Sequence, residues 1–125
     1  MTEHGKSHII VVLEDDPVIG ALVAEVLREA GYRAEWVRDV TAARQAAASG
    51  LRPAGILSDL IVAGSAGPAS LAGEIEAMFP GVPLALMTGV PSQRREVMGV
   101  THARVVEKPF ELEELLGAVR AMVGT

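Results

Sequence analysis

The chain has 125 residues, half of them apolar, only four of them aromatic, no cysteine, and a net charge of -5. That is the length of one domain with an aliphatic core; it excludes a disulfide framework, a thiolate metal site and a cysteine nucleophile, and its acidity argues against a nucleic-acid surface. The polar start "MTEHGKSH" lacks the apolar core of a signal peptide, and no apolar run reaches the ~18 residues of a membrane span, so a soluble cytoplasmic domain is expected.

In chain order, residues 8–13, "HIIVVL", form a continuous apolar run that stops at three acids, Glu14, Asp15 and Asp16. Such a run marks a strand buried on both faces. Asp16 can cap a helix, Pro17 suits its first turn and Gly31 its end. Ile19, Leu22, Val23, Val26, Leu27 and Ala30 share one face of that helix. Residues 33–37 are a short strand, and 40–49 an Ala-rich helix stopped by Gly50. Residues 54–58, "AGILS", are a third strand, followed by Asp59 and a Gly-rich loop. Leu71, Ile75, Met78 and Phe79 give the next helix its apolar face. Residues 82–87 are a fourth strand ending at Thr88, residues 91–99 a polar helix, and 105–107 a short fifth strand ending at Lys108-Pro109. Leu112, Leu115, Leu116, Val119, Met122 and Val123 line the last helix. Five alternating strand–helix units imply an α/β fold, with a parallel sheet covered on both faces.

Asp15, Asp59, Thr88 and Lys108 each fall where a strand is expected to end. In an open parallel sheet, ligands bind at the carboxyl ends of the strands, so these four converge. Alone, Glu14-Asp15 could be a solvated turn, Asp59 a loop acid, Thr88 a strand terminator and Lys108 a surface charge. His4, His8 and His102 are read as structural or exposed.

The motifs "LEDDP", "ILSDL", "LMTG" and "VVEKPF", in this order, resemble those of response-regulator receiver domains, the CheY-like phosphoacceptors of two-component signalling. The resemblance implies a doubly wound, flavodoxin-like (βα)5 sandwich with strand order 2-1-3-4-5. It implies a tail over residues 1–7 and a receiver domain over 8–125. It implies Asp59 as phosphoacceptor, and Mg²⁺ held by Glu14, Asp15, Asp59 and the Ile61 carbonyl, with Asp15 binding directly and Glu14 mostly through water. Thr88 and Lys108 would contact phosphoryl oxygens, and Lys108-Pro109 would be cis. The implied partner is a sensor histidine kinase or histidine phosphotransfer protein, with no nucleic acid and no membrane. Hard Mg²⁺ beside carboxylates and phosphate oxygens suits this chemistry, and a carboxylate can take a phosphoryl group as an acyl phosphate.

The sequence also departs from the family's pattern. No proline closely follows Asp59, so a looser loop is expected there, and the segment between Thr88 and Lys108 is short. Val105 stands at the usual aromatic switch position. Ile61 and Val90 occupy the positions that influence hydrolytic water, so slow autodephosphorylation is expected. Trp36, on the second strand, is expected to be a poor reporter of the site. Two alternatives remain at this level: an aspartyl-phosphate phosphohydrolase of the haloacid dehalogenase type, which would need an acid where Ile61 stands, and a docking module that is never phosphorylated.

Overall fold

Among the described residues, five short segments form the strands β1 (Ile9–Leu13), β2 (Arg33–Val37), β3 (Gly55–Asp59), β4 (Leu84–Thr88) and β5 (Arg104–Glu107). They make one parallel sheet in the order β2-β1-β3-β4-β5. The computed structural model describes residues 8–60, 62–89 and 103–124; the helix expected over 91–99, together with Ile61, Val90, His4 and His102, lies outside them. The helices are α1 (Pro17–Glu29), α2 (Val40–Ala48), α3 (Pro68–Met78) and, for this chain segment, α4 (Leu112–Val123). None among the described residues is long and apolar enough to cross a membrane.

Strand side chains alternate between the two faces. Ile10 and Val12 of β1 join Val23, Ala24 and Leu27 of α1 and Leu115, Ala118 and Val119 of α4. Val11 and Leu13 join Val40 and Ala43 of α2 and Leu71 and Ile75 of α3. Each fully buried Leu or Ile in these layers contributes about 1.5–3 kcal/mol relative to exposure. Val105 is half-buried and packs with Leu60 and Leu86.

The face expected for α1 holds at Val23 and Leu27, which are buried, and at Ile19 and Val26, which pack on the core, but it is shifted at its edges. Leu22 is 55% exposed and Ala30 is exposed, whereas Gly20 and Ala24 are buried. The small residues let the helix approach the sheet, and hydropathy alone does not reveal that. Asp16 caps α1 as expected, its Oδ1 accepting from the N–H groups of Val18 at 2.9 Å and Ile19 at 3.2 Å, with Pro17 in the first turn. Gly31 has φ 99°, a left-handed conformation that ends the helix at little steric cost.

The loop after β3 is tied rather than loose over its described part. Val40 N–H donates to the Ala63 carbonyl at 3.0 Å. The Glu74 carboxylate, nearly two turns into α3, accepts from Ser65 Oγ at 2.7 Å and from Ala66 N–H at 3.0 Å. A side chain from the following helix thus does the restraining that a proline would do through the chain itself.

Candidate functional site

Strand register assembles the site. Leu13 of β1 pairs with Ser58 of β3, so the next residues, Glu14 and Asp59, stand level at the sheet's carboxyl edge. Asp59 pairs with Met87 of β4, and Thr88 follows; Thr88 pairs with Glu107 of β5, and Lys108 follows. The chain order places β2 on one side of β1 and β3 on the other, so the connections leaving β1 and β3 diverge to opposite faces. Glu14, Asp15 and Asp59 therefore line the crevice that this reversal opens.

Carboxylate oxygens of Glu14, Asp15 and Asp59 lie within 4.8 Å of one another. Asp15 is exposed, Asp59 half-buried, and Glu14 only 1% exposed. Lys108 crosses the site, its Nζ 3.1 Å from Glu14 Oε1 and 3.4 Å from Asp59 Oδ1. Its own backbone N–H donates to the Thr88 carbonyl at 2.6 Å, and the Lys108-Pro109 peptide is cis. Thr88 is buried at the end of β4. The Asp59 backbone is held by Ser58 Oγ, which donates to its carbonyl at 2.8 Å, and Asp59 Oδ1 accepts from Leu60 N–H at 2.9 Å.

Burial, and next the neighbouring charge of Asp59, push the Glu14 carboxyl above its ordinary value; the Asp16 N–H and the Lys108 ammonium pull the other way. Among the described residues, three crowded carboxylates are served by one ammonium, which leaves an excess of negative charge facing solvent. Oxygen donors with nothing softer among them fit a hard divalent cation such as Mg²⁺, which takes a few carboxylates and keeps several waters. The structure thus brings together Glu14, Asp15, Asp59 and Lys108, with Thr88 on the adjacent strand end; the Ile61 carbonyl falls outside the described residues.

Sequence reasoning missed Trp36. Its indole Nε1 donates to the Glu14 carbonyl at 2.8 Å, so the ring abuts the acid cluster rather than standing apart from it. The available signal was a glycine inside a helical pattern, Gly20, which costs about 1 kcal/mol relative to alanine.

Fold and site together define a class, the doubly wound α/β domain with a carboxylate cluster and a facing lysine at its switch point. The sequence pattern of the response regulator receiver domain matches residues 10–120, and the chain belongs to that family: it is a receiver domain of two-component signalling. It is 27% identical over 121 residues to "Probable transcriptional regulatory protein TcrX" of Mycobacterium tuberculosis, covering 95% of this chain and 51% of the relative. It is 33% identical over 110 residues to a response regulator receiver protein of Anaeromyxobacter sp., covering 88% and 43%. The chain thus spans about half, or less, of the length of these relatives. Among solved structures it resembles the receiver domain of the sensor histidine kinase PA1611 of Pseudomonas aeruginosa PAO1, which has a magnesium ion coordinated in its active-site cleft. The TM-score is 0.80 and the identity 26%, over 95% of this chain and 99% of that one. The phosphohydrolase and docking-module alternatives find no support in these similarities.

Proposed function

We propose that residues 8–125 form the receiver unit, behind a tail over 1–7, and that Asp59 accepts a phosphoryl group from a phosphohistidine donor on a sensor kinase or phosphotransfer protein. The observation that carries this reading is the Asp59 carboxylate placed against both the acid pair and the Lys108 ammonium. An Asp59 oxygen attacks phosphorus, the O–P bond forms, and the P–N bond breaks. The imidazole leaves with the electron pair and takes a proton, giving an aspartyl phosphate and a neutral histidine. Such transfer is mainly positioning and charge neutralisation. Lys108, already 3.4 Å from Asp59, follows the negative charge onto a phosphoryl oxygen. Thr88, at the neighbouring strand end, offers its hydroxyl to another.

Glu14, Asp15 and Asp59, with the Ile61 carbonyl, would hold Mg²⁺. That ion, when bound, neutralises charge on the incoming phosphoryl oxygens. Val18 and Leu22 of α1 are 75% and 55% exposed and lie four residues apart, in the first two turns after Asp16. They supply an apolar contact for the donor beside the acids. Intact-mass analysis after incubation with acetyl phosphate tests the reading: one phosphoryl adduct should form with Mg²⁺ and not with chelator. An equal adduct in Asp59→Asn would overturn it.

A further inference from the structure

Both backbone groups of Glu14 are held by β2. Its N–H donates to the Val37 carbonyl at 3.1 Å, continuing the parallel ladder one step past β1. In a ladder that continued, its carbonyl would take the N–H of Asp39. β2 has ended at Val37, and the indole N–H of Trp36 takes that place at 2.8 Å.

The ring's seat is specific. An added methyl at Gly20 would land on the indole, at Cε2 and Nε1. Gly20 is buried inside α1, where glycine costs about 1 kcal/mol relative to alanine. The helix keeps it where the ring lies. Because the peptide is planar, fixing the Glu14 carbonyl also fixes the Asp15 N–H and the direction in which the Asp15 Cα leaves. One turn on, Gly20 N–H donates to the Asp16 carbonyl at 2.8 Å, so the same small residue joins the helix start to the ring.

We propose that Trp36 is a positioning residue of the acid cluster: its indole N–H, seated over Gly20, locks the Glu14–Asp15 peptide and sets where the Asp15 carboxylate stands for a divalent cation. The proposal rests on the reading that Asp15 and Asp59 hold such a cation. It makes Trp36, the chain's single tryptophan, an intrinsic reporter of occupancy, since a charge arriving beside the Glu14–Asp15 peptide changes the field at the indole.

The test is a Mg²⁺ titration of the full chain, followed by amide shifts of Asp15 and Asp59 and by Trp36 emission, with melting recorded in chelator. In the wild type, emission should change with the same midpoint as the shifts. Trp36→Phe keeps an aromatic ring and loses the donor, so its Mg²⁺ affinity should fall about fivefold, the fold-change of one neutral hydrogen bond. The pair Trp36→Val and Trp36→Val/Gly20→Ala separates packing from positioning. The added methyl should recover melting temperature while Mg²⁺ affinity stays weak. A Trp36→Phe affinity within twofold of wild type, or a double variant whose affinity returns together with its stability, overturns the proposal alone. A wild type that shows no Mg²⁺ response overturns the cation-site reading and this proposal with it.

Discussion

Asp15→Asn should make the metal-free protein more stable while removing its response to Mg²⁺. Oxygens of Glu14, Asp15 and Asp59 lie within 4.8 Å. Two unit charges at that distance repel by about 0.9 kcal/mol at the dielectric constant of water, and by about 3.5 kcal/mol at an effective value near 20. Asp15 is exposed, which places it near the lower figure, and Lys108 already pairs with the other two acids. Removing the Asp15 charge therefore gains about 1 kcal/mol in chelator. With an unfolding entropy of about 2.1 cal/mol/K per residue, that is a rise of about 4 °C in Tm. Mg²⁺ at a hundred times its dissociation constant stabilises the wild type by about 2.7 kcal/mol, so the order of the two proteins should reverse when Mg²⁺ replaces chelator. Calorimetry in the two conditions measures both effects. A variant that melts below wild type in chelator would show that the acids are not in net repulsion, and the electrostatic account would be wrong.

Lys108→Met strips the ammonium from a carboxylate that is 1% exposed, and should cost about 3 kcal/mol at neutral pH in chelator. Glu14 already titrates above its ordinary 4.5 in the folded state, and the loss of Lys108 raises it further. Because a raised carboxyl destabilises the fold only when it is ionised, and the unfolded chains titrate alike, the deficit should be absent at pH 4.5, open as pH rises through the raised folded value of the wild type, and be complete only above the still higher value of the variant. Denaturant melts across pH check this, and a deficit independent of pH would count against it. Leu22→Arg should slow phosphoryl transfer from a phosphohistidine protein about tenfold, the effect of losing one good interface contact, yet leave labelling by acetyl phosphate unchanged; equal slowing of both would remove α1 from the docking face. Ile61→Asn should hasten loss of the phosphoryl group severalfold by offering a hydrogen bond to hydrolytic water, measured as decay of the adduct mass. Unchanged or slower decay would refute that role.

The strands, and the gathering of Glu14, Asp15, Asp59 and Lys108 at their ends, were legible because both are written locally. An apolar run ending in an acid or a hydroxyl declares a buried strand and its edge at once, as with Leu13 before Glu14 and Met87 before Thr88. Element ends differ by a residue or two: Asp59 and Thr88 complete their strands rather than follow them, because the ladder runs to the crevice. What depended on distant partners was hidden. Gly20 and Ala24 carry too little hydropathy to mark the buried face of α1, which is set by how near the sheet and Trp36 come. The restraint on the loop after β3 comes from Glu74, fifteen positions after Asp59, and no local turn signal encodes it. The strand order also came from the resemblance rather than from any pattern in the residues, and the register now shows why it matters: it sets Glu14 level with Asp59.

The central claim is that the phosphoryl group bonds to Asp59 itself. An acyl phosphate is reduced by borohydride, which would convert the labelled aspartate to homoserine, and peptide mapping locates the converted residue. After acetyl phosphate and Mg²⁺, conversion should be confined to Asp59 and absent in chelator. Conversion at Asp15, Asp16 or Glu14, or a stable adduct that borohydride leaves intact, would contradict the account.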